Sequence, residues 1–324
     1  MNYVLRRFGH AVLLLIGVSI LSFLFSSLAP GNYFDEMRLS AQISQETVSA
    51  LRTHYNLDRP LAWRYAHWLG SVARGDLGFS FAYNMPTAPL LWSRARNTLV
   101  LMVPATLIAW LLALPIGIWS AERRGKLPDV TVTLVSAALL VIPDLLLALG
   151  LLLVAVRTHI FPTGGMVSVG YRDLSWGRRL QDVVLHMALP VTVLVLSSLP
   201  TLVRHIRAAV ADELETGFLR AARAHGIPRR MRLYRYALRA AANPLIALFG
   251  FSLGTLLSGS LMLEVVMSWP GLGPLLLEAI LARDVYLVIG GVLLSTVFLV
   301  SGNLLADVLL YWADPRIRAE RGPA

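Results

Sequence analysis

The chain has 324 residues, of which 56% are hydrophobic and 15% charged, with a net charge of +10 and no cysteine. This composition excludes an ordinary soluble domain, and the lack of cysteine excludes a disulfide framework and a cysteine-based metal or redox site. The basic residues lie in loops beside apolar runs, and the sequence has no aromatic and basic strip of the kind that stacks on single strands. The charge therefore indicates membrane topology and argues against nucleic-acid binding.

Six apolar runs are long enough to cross a bilayer, which takes about 20 residues per helix. They are predicted at Phe8–Ala29, Thr98–Ser120, Val130–Val156, Leu185–Val203, Leu245–Met267 and Val285–Trp312. The first run follows Arg6 and Arg7 as a secretory signal would, but it is longer than the about 7–15 residues of a signal core. It is therefore predicted to be a retained anchor, and the chain to be an all-α integral membrane protein with six transmembrane helices.

The distribution of Lys and Arg predicts that both termini lie in the cytosol. The cytosolic segments are then the N-terminus, residues 121–129, residues 204–243 and the C-terminal tail, which together hold more than half of the 29 Lys and Arg. Three arginines on the opposite side, Arg172, Arg178 and Arg179, argue mildly against this orientation. Long translocated segments contribute little to the charge rule, so the orientation is retained.

The extracytoplasmic segment after the first run is predicted to be partly helical. Apolar residues at helical spacing follow Pro60, which suits the first position of a helix, and Gly75 is predicted to end that helix. The stripe consists of Leu61, Tyr65, Trp68, Leu69 and Val72. We expect a small helical cap on the outer membrane surface, with Trp63, Trp68 and Trp92 at the membrane interface.

Asp144 is the clearest charged residue inside an apolar run, in the middle of the third one. A charge there costs at least about 2.5–3.5 kcal/mol on insertion scales, which makes it a functional candidate. Three interpretations stay open: Asp144 caps a helix that resumes after Pro143, lines a transport pathway, or makes a contact between helices. A carboxylate that faces a pathway can meet the ammonium group of a solute or a cation.

Glu264 lies near the outer end of the fifth run, shortly before Trp269, Pro270 and Gly271. The Pro-Gly pair predicts a re-entrant turn. Glu264 is predicted either to belong to a gate or a receptor-facing surface, or to form a structural hydrogen bond to that turn. These four residues, with Asp144, are the candidates for a pathway or gate.

Residues 204–243, called here the basic segment, hold nine arginines around a small-residue cluster that ends in Gly226. One helix is predicted from Asp212 to Ala224, ending at Gly226, and a second from Pro228 to about Ala242, before Asn243 and Pro244. The residues Ala221, Ala222 and Ala224 are predicted to leave one surface without bulk, which a partner protein can approach closely. The alternative is a basic helix beside the membrane that touches anionic lipid headgroups.

The basic segment resembles the EAA motif of importer-type ABC transporter permeases, in the oligopeptide, dipeptide and nickel branch. Its motif residues are Arg220, Ala221, Ala222, Arg223, Ala224, His225 and Gly226. Further resemblances follow in order at Leu57–Leu61, Gly75–Ser80, His186–Pro190, Glu264 with Trp269–Gly273, Arg283–Asp284, Asn303–Leu304 and Asp314–Arg318. The chain departs from the pattern at Arg220, where the generic motif has glutamate, and after the first span, where Asn32 and Tyr33 replace Asp and Pro.

The resemblance implies a type I ABC importer permease fold, in which residues 220–226 dock into a cleft of a cytosolic ATPase subunit. It implies residues 1–97 as first helix plus extracytoplasmic segment, and residues 98–324 as core permease domain. Its expected partners are a second permease in a hetero-pair, one or two ATPase subunits, an extracytoplasmic solute-binding protein and membrane lipid. The cargo of the branch includes peptides, nickel or its chelates, and glutathione, and its location is a bacterial or archaeal cytoplasmic membrane.

The chain itself has no G-x-x-x-x-G-K-[ST] element, since its one lysine, Lys126, precedes Leu and Pro. ATP and magnesium are therefore expected on the ATPase subunits, with no cofactor and no metal in this chain. The alternative function is a self-contained secondary transporter or channel, but that class often has inverted repeats and several midplane ionisable groups. A membrane-embedded enzyme would need a catalytic cluster, and the seven histidines are scattered without ligand spacing.

Overall fold

The structure is a computed structural model that describes residues 2–28, 46, 53 and 58–313. Its helices are α1 Asn2–Leu28, α2 Leu61–Val72, α3 Thr87–Glu122, α4 Leu127–Val141, α5 Asp144–Thr158, α6 Trp176–Leu214, α7 Gly217–Ala224, α8 Leu238–Ala240, α9 Ala242–Val266, α10 Leu272–Leu281 and α11 Val285–Ala313. A 3₁₀ turn at Tyr171–Asp173 precedes α6, and a π-helix at Met231–Ala237 precedes α8. Strands β1 Phe79–Ser80 and β2 Met85–Pro86 pair antiparallel, with Phe79 opposite Pro86. The predicted all-α class is confirmed.

Among the described residues, five helices are long and apolar enough to cross a membrane, namely α1, α3, α6, α9 and α11. The helices α4 and α5 pass the same criterion only together, and they meet at an angle of 91°. The predicted third span Val130–Val156 is therefore wrong as a single helix. Pro143 provides no backbone N–H, and Ile142 before it is extended at φ −79° and ψ 117°, so the helix stops and starts again.

The chain divides into two compact units, the first of which comprises Met1–Thr98 and Pro270–Phe298. Its core is formed by Phe23, Trp68 and Ile289, against which Leu61, Tyr65 and Val72 of α2 pack, whereas Leu69 of the predicted stripe is exposed. The rings of Phe23 and Tyr65 meet edge to face at 5.5 Å, and Trp68 Nε1 donates to the carbonyl oxygen of Leu77 at 3.1 Å. Trp68 is therefore a core residue, and its predicted place at the membrane interface is wrong.

The predicted outer helix is present as α2, with Pro60 as its N-cap residue, one position before the predicted role. It ends as predicted, since the N–H of Gly75 donates to the carbonyl of Val72 and that of Asp76 to Ser71. The hairpin that follows is held by the buried carboxylate of Asp284, which accepts from Ser80 Oγ at 2.7 Å. The buried Asp284 thus gives the first unit a polar anchor.

The second unit comprises Leu99–Trp269 and Leu299–Ala324. Its longest helix, α6, contacts α4, α5 and α9. Gly117 of α3 allows close approach to α6, because a Cβ at Gly117 would lie 2.7 Å from Cγ2 of Ile206. The predicted functional division into residues 1–97 and 98–324 is a separate matter and stays a prediction.

Candidate functional site

The basic segment begins inside α6, which continues to Leu214, and it contains a separate short helix, α7, at Gly217–Ala224. The predicted single helix from Asp212 to Ala224 is therefore wrong. The helix is interrupted at Glu215 and Thr216. Thr216 is extended at φ −66° and ψ 148°, and its Oγ1 donates to the carbonyl of Glu213 at 2.7 Å. This local bond competes with the helical one, as threonine side chains do at helix boundaries.

The end of α7 is closed at Gly226, as the sequence predicts. The N–H of Ile227 donates to the carbonyl of Ala222 at 3.1 Å, and the N–H of Gly226 donates to Arg223 at 3.1 Å. This pair of bonds is a Schellman motif, which needs a left-handed residue, and Gly226 has φ +75°. A Cβ at Gly226 would meet nothing within 4 Å, so the position requires glycine for its backbone and not for space.

The two faces of α7 differ in the size of their residues. Leu219 and Ala222 are buried, whereas Ala221 and Ala224 are exposed. The prediction that all three alanines share one exposed surface is therefore wrong for Ala222. This residue lies about one helical turn after Leu219 and is buried on the same face. The exposed small face consists of Gly217, Ala221 and Ala224, and it is flanked by the exposed side chains of Arg220, Arg223 and His225.

A second helical stretch follows Pro228, whose carbonyl accepts from the N–H of Arg232 at 3.0 Å. It passes through the π-helix to Ala240, and the ring of Tyr236 meets Phe218 of α7 edge to face at 5.7 Å. The predicted end near Ala242 is off by two residues. Asn243 and Pro244 lie inside the first turn of α9, where proline is tolerated because the first N–H groups of a helix have no partner.

Three ion pairs tie residues 122–129 to the basic segment. Arg207 donates twice to the Asp129 carboxylate, with Nη2 to Oδ2 at 2.6 Å, and Asp129 also accepts from Ser120 Oγ at 2.6 Å and the N–H of Gly125 at 2.9 Å. The second and third pairs join Arg124 to Glu215 at 2.6 Å and Arg229 to Glu122. The hydrogen bonds from Arg229 to Glu122 raise the pKa of the Arg229 guanidinium above its usual value.

The sequence reading missed these partners, because it assigned the arginines to sidedness and lipid contact. Arg207 and Arg229 have protein partners instead. The available signal was the presence of Glu122 and Asp129 in an otherwise basic loop. Other arginines of the basic segment are exposed and lie outside these three ion pairs, so they can still contact headgroups as predicted. They are Arg204, Arg220, Arg223, Arg230, Arg235 and Arg239.

A cavity of about 190 Å³ opens in the second unit, between the start of α5, the middle of α6 and α9. Its polar lining is formed by Asp144, Ser197, Ser198, Thr201 and Ser252, and leucines and Phe251 provide much of the remainder. Asp144 is the first residue of α5, and Pro143 is the N-cap residue without a side-chain capping bond. The interpretation of Asp144 as the helix cap is therefore wrong, and its side chain is exposed at the cavity.

The residues predicted around the re-entrant turn are buried. In the second unit Glu264 and Trp269 are both 0% exposed, and the N–H of Trp269 donates to the Glu264 carbonyl at 2.8 Å. In the first unit the Pro270 carbonyl accepts from Asn97 Nδ2 at 2.8 Å, and Gly271 is the N-cap residue of α10. A turn is present between α9 and α10, whereas its re-entrant path and a gating or receptor-facing role for these residues stay predictions.

Within the part of the chain that the structure describes, no group of three or more His, Asp or Glu is arranged to hold a metal ion. The basic segment offers a small, positively bordered face to a partner, and the cavity offers one carboxylate and several hydroxyls to a passing solute.

Comparison with known proteins gives a consistent result along almost the whole chain. Residues 113–319 match the family model described as "Binding-protein-dependent transport system inner membrane component". The oligopeptide transport system permease protein AppB of Bacillus subtilis (strain 168) is 33% identical over 317 residues, which are 97% of this chain and 98% of AppB. The dipeptide transport system permease protein DppB of Escherichia coli (strain K12) is 32% identical over 338 residues, covering 99% of this chain and 100% of DppB. The oligopeptide transport system permease protein OppB of Mycobacterium bovis is 30% identical, covering 98% and 99% of the two chains.

Proposed function

The chain belongs to the family of binding-protein-dependent transport system inner membrane components, and from this premise we propose that it forms the translocation pathway for peptides. As a member of that family it is a permease subunit of an ABC importer and a multi-pass protein of the cytoplasmic membrane. Peptides are proposed as cargo because the relatives AppB, DppB and OppB are named as oligopeptide and dipeptide permeases. Its relatives are transport subunits and not enzymes.

The observation that carries the coupling part of the proposal is the exposed face of α7. This helix of eight residues presents Gly217, Ala221 and Ala224 without bulk, and it is closed by a Schellman motif at the exposed Gly226. We infer that this face, with Arg220, Arg223 and His225 at its border, docks into an ATPase subunit. Ala222 contributes from the inside, because its small side chain lets α7 lie close to the rest of the basic segment.

Two ion pairs hold the chain segments that flank this docking helix. Glu215 lies between α6 and α7, and Arg229 lies after α7, so two pairs hold the chain on either side of the docking face. A movement of the ATPase subunits is thereby passed to the end of α3, where Glu122 lies, and to the turn before α4, where Arg124 lies. Such a partner-driven shift between two states is the basis of alternating access.

The remaining components are proposed from the family. ATP and magnesium bind to one or two ATPase subunits, since this sequence has no phosphate-binding loop. A second permease pairs with this one as a hetero-pair, and an extracytoplasmic solute-binding protein delivers the cargo. The exposed arginines away from the docking face contact lipid headgroups on the cytosolic side, namely Arg204, Arg230, Arg235 and Arg239.

We propose six crossings with both termini in the cytosol and a type I importer permease fold. The bent pair α4 and α5 is then the third crossing, and the segment of residues 30–97 lies outside the membrane, before the core permease domain at 98–324. The positive-inside rule supports this orientation through the basic segment.

The pathway is proposed to pass the cavity at Asp144. A charged residue in an apolar membrane segment faces protein or a water-filled space and not lipid, which supports this placement. Glu264, Trp269, Pro270 and Gly271 are proposed as an outer gate, because the backbone bond from the N–H of Trp269 to the Glu264 carbonyl would have to rearrange for solute entry.

The docking proposal is tested by purifying the tagged chain from native membranes and measuring the ATPase activity that purifies with it. Gly226→Arg and Ala221→Trp are both expected to abolish that activity while the chain itself is still recovered. Gly125→Arg is the matched control, because Gly125 is also exposed and left-handed at φ +74° with no atom within 4 Å of an added Cβ. Full ATPase recovery with both α7 variants, or ATP-independent uptake by this chain alone in liposomes, would overturn the proposal.

A further inference from the structure

We propose that the cavity at Asp144 contains a site for a protonated primary amine, such as the N-terminal ammonium of a peptide. The inference rests on the proposed function, because it names the chemical group that the pathway recognises during passage. It is argued from the charges, the hydroxyl groups and the backbone geometry of the cavity.

The charge of the lining selects a cation. Among the described residues that line the cavity, Asp144 carries the only formal charge, and neither an arginine, a lysine nor a histidine is present. An anionic group would meet the carboxylate without a compensating base. A cationic group would gain an ion pair in surroundings where water competes less than in bulk solvent.

The backbone leaves the Asp144 carboxylate available. The 91° break places Asp144 in the first turn of α5, where the positive end of the helix dipole favours a carboxylate. Asp144 follows the N-cap residue Pro143 and is not itself the cap, and none of the ion pairs among the described residues includes it. An exposed carboxylate in an apolar segment is costly unless something polar faces it, so a ligand or a second subunit is needed there.

The hydroxyl groups supply the matching acceptor. Ser198 Oγ donates to the Leu194 carbonyl at 2.8 Å, so its donor is satisfied within α6. Ser197 Oγ is buried and has no hydrogen-bond partner among the described residues. An ammonium group has three donors and no acceptor, so it can give one to the carboxylate and one to the Ser197 hydroxyl. Leu248 and Phe251 suit the apolar remainder of the solute.

The first experiment measures the charge preference of the cavity without requiring transport. The natural chain has no cysteine, so Ser198→Cys provides a single reactive thiol in this subunit. In the detergent-solubilised complex, its rate with 2-aminoethyl methanethiosulfonate is divided by its rate with the 2-sulfonatoethyl reagent, both normalised to a free thiol. We expect the cationic reagent to be preferred, and Asp144→Asn to reduce the ratio about tenfold, as befits one close charge in a partly solvated site.

Two matched variants separate charge from folding. Asp212→Asn removes an exposed carboxylate from the far end of α6, the helix that contains Ser198. It is expected to leave the ratio unchanged. Asp144→Glu is expected to retain the preference for the cationic reagent. A ratio that is the same with and without the Asp144 charge would overturn the proposal, as would equal rates for both reagents in the Ser198→Cys chain.

A protection experiment identifies the source of the amine. Trialanine, N-acetyl-trialanine and lysine amide are compared for slowing the reaction at Ser198→Cys. Protection by trialanine alone indicates a peptide N-terminus, and protection by lysine amide as well indicates any primary amine. Equal protection by the acetylated peptide, or no protection by either amine, contradicts the site.

Failure of the inference can be told apart from failure of the proposed function. If ATP-driven uptake is present but the labelling ratio does not depend on Asp144, the amine site is wrong and the permease proposal stands. If the ratio depends on Asp144 but the complex neither binds an ATPase subunit nor takes up peptides, the proposed function fails and the cation preference of the cavity remains.

Discussion

Replacing Arg207 with glutamine is expected to destabilise the chain more than replacing its partner, Asp129, with asparagine. Asp129 is 3% exposed, and its carboxylate accepts two bonds from Arg207, one from Ser120 and one from the N–H of Gly125. Without Arg207 a buried negative charge keeps only neutral donors. Without the Asp129 charge, by contrast, Arg207 keeps partial access to water, because its side chain is 27% exposed.

The magnitudes follow from this asymmetry. Breaking a buried ion pair by removing one partner costs about 3–5 kcal/mol, and the partial exposure of Arg207 favours the lower end, so Arg207→Gln should cost about 3 kcal/mol. Asp129→Asn loses charge-assisted hydrogen bonds of about 2 kcal/mol in total, because the single amide oxygen of asparagine can accept from Ser120 Oγ or from the Gly125 N–H but not from both. At about 2–4 °C per kcal/mol, Arg207→Gln lowers the melting temperature by about 6–12 °C.

The assay is thermal unfolding of the purified complex, followed by tryptophan fluorescence, for both single variants and the double variant. The double variant is expected to be less destabilised than the sum of the singles by about 1–2 kcal/mol, because it leaves no uncompensated charge. Glu215→Gln is the matched control from the same network. The side chains of Arg124 and Glu215 are 53% and 69% exposed, and a surface pair contributes only about 0–1 kcal/mol.

Two results would refute this reasoning. One is additivity of the two single variants within about 0.5 kcal/mol, which would show that the two side chains act independently. The other is an effect of Glu215→Gln as large as that of Arg207→Gln, which would show that burial does not set the cost.

Three further outcomes are expected from the structure. Gly117→Ala, whose Cβ would lie 2.7 Å from a side chain of α6, should destabilise the chain by about 1–3 kcal/mol, whereas Gly150→Ala in open space should be neutral or stabilising by up to about 1 kcal/mol in the same unfolding assay. Ser268→Gly should stabilise by about 1 kcal/mol, because Ser268 is left-handed at φ +53°, and an unchanged or lower melting temperature would contradict that strain. The pKa of Tyr83 is raised to about 12, mainly by burial and secondly by the hydrogen bond to Glu278. The neutral phenol therefore stabilises the fold fully below about pH 10, and this stabilisation is lost as the pH rises through 12. The difference in phenolate absorbance between the chain and Tyr83→Phe should appear near pH 12, and its appearance near pH 10 would contradict the burial.

The long elements could be predicted from the sequence because hydropathy and capping residues act locally. The helix stop at Gly226 and the stripe of α2 that packs on the core both follow from spacing and backbone preference alone. The burial of Ala222 could also have been predicted, because Leu219, three residues earlier, determines the buried face of so short a helix.

Other features depend on distances that a linear pattern does not contain. Apolar residues dominate Val130–Val156, so hydropathy gave no sign of the 91° angle beyond the presence of Pro143 and Asp144. The pairs Arg207–Asp129 and Arg229–Glu122 join residues 78 and 107 positions apart, and a sequence does not show which loops meet. The burial of Trp68 likewise depends on Ile289, far along the chain.

The π-helix at Met231–Ala237 affects which changes of length the chain can accept. Each backbone hydrogen bond of a π-helix spans one residue more than that of an α-helix. Removing one residue there therefore restores ordinary α-helical spacing without ending the helix. The same deletion inside α7 would rotate the residues after it by about 100° and carry Ala224 off the exposed face. A single deletion is therefore expected to be tolerated within Met231–Ala237 and to abolish ATPase docking within α7, which makes the two halves of one cytosolic segment unequal in their freedom to diverge.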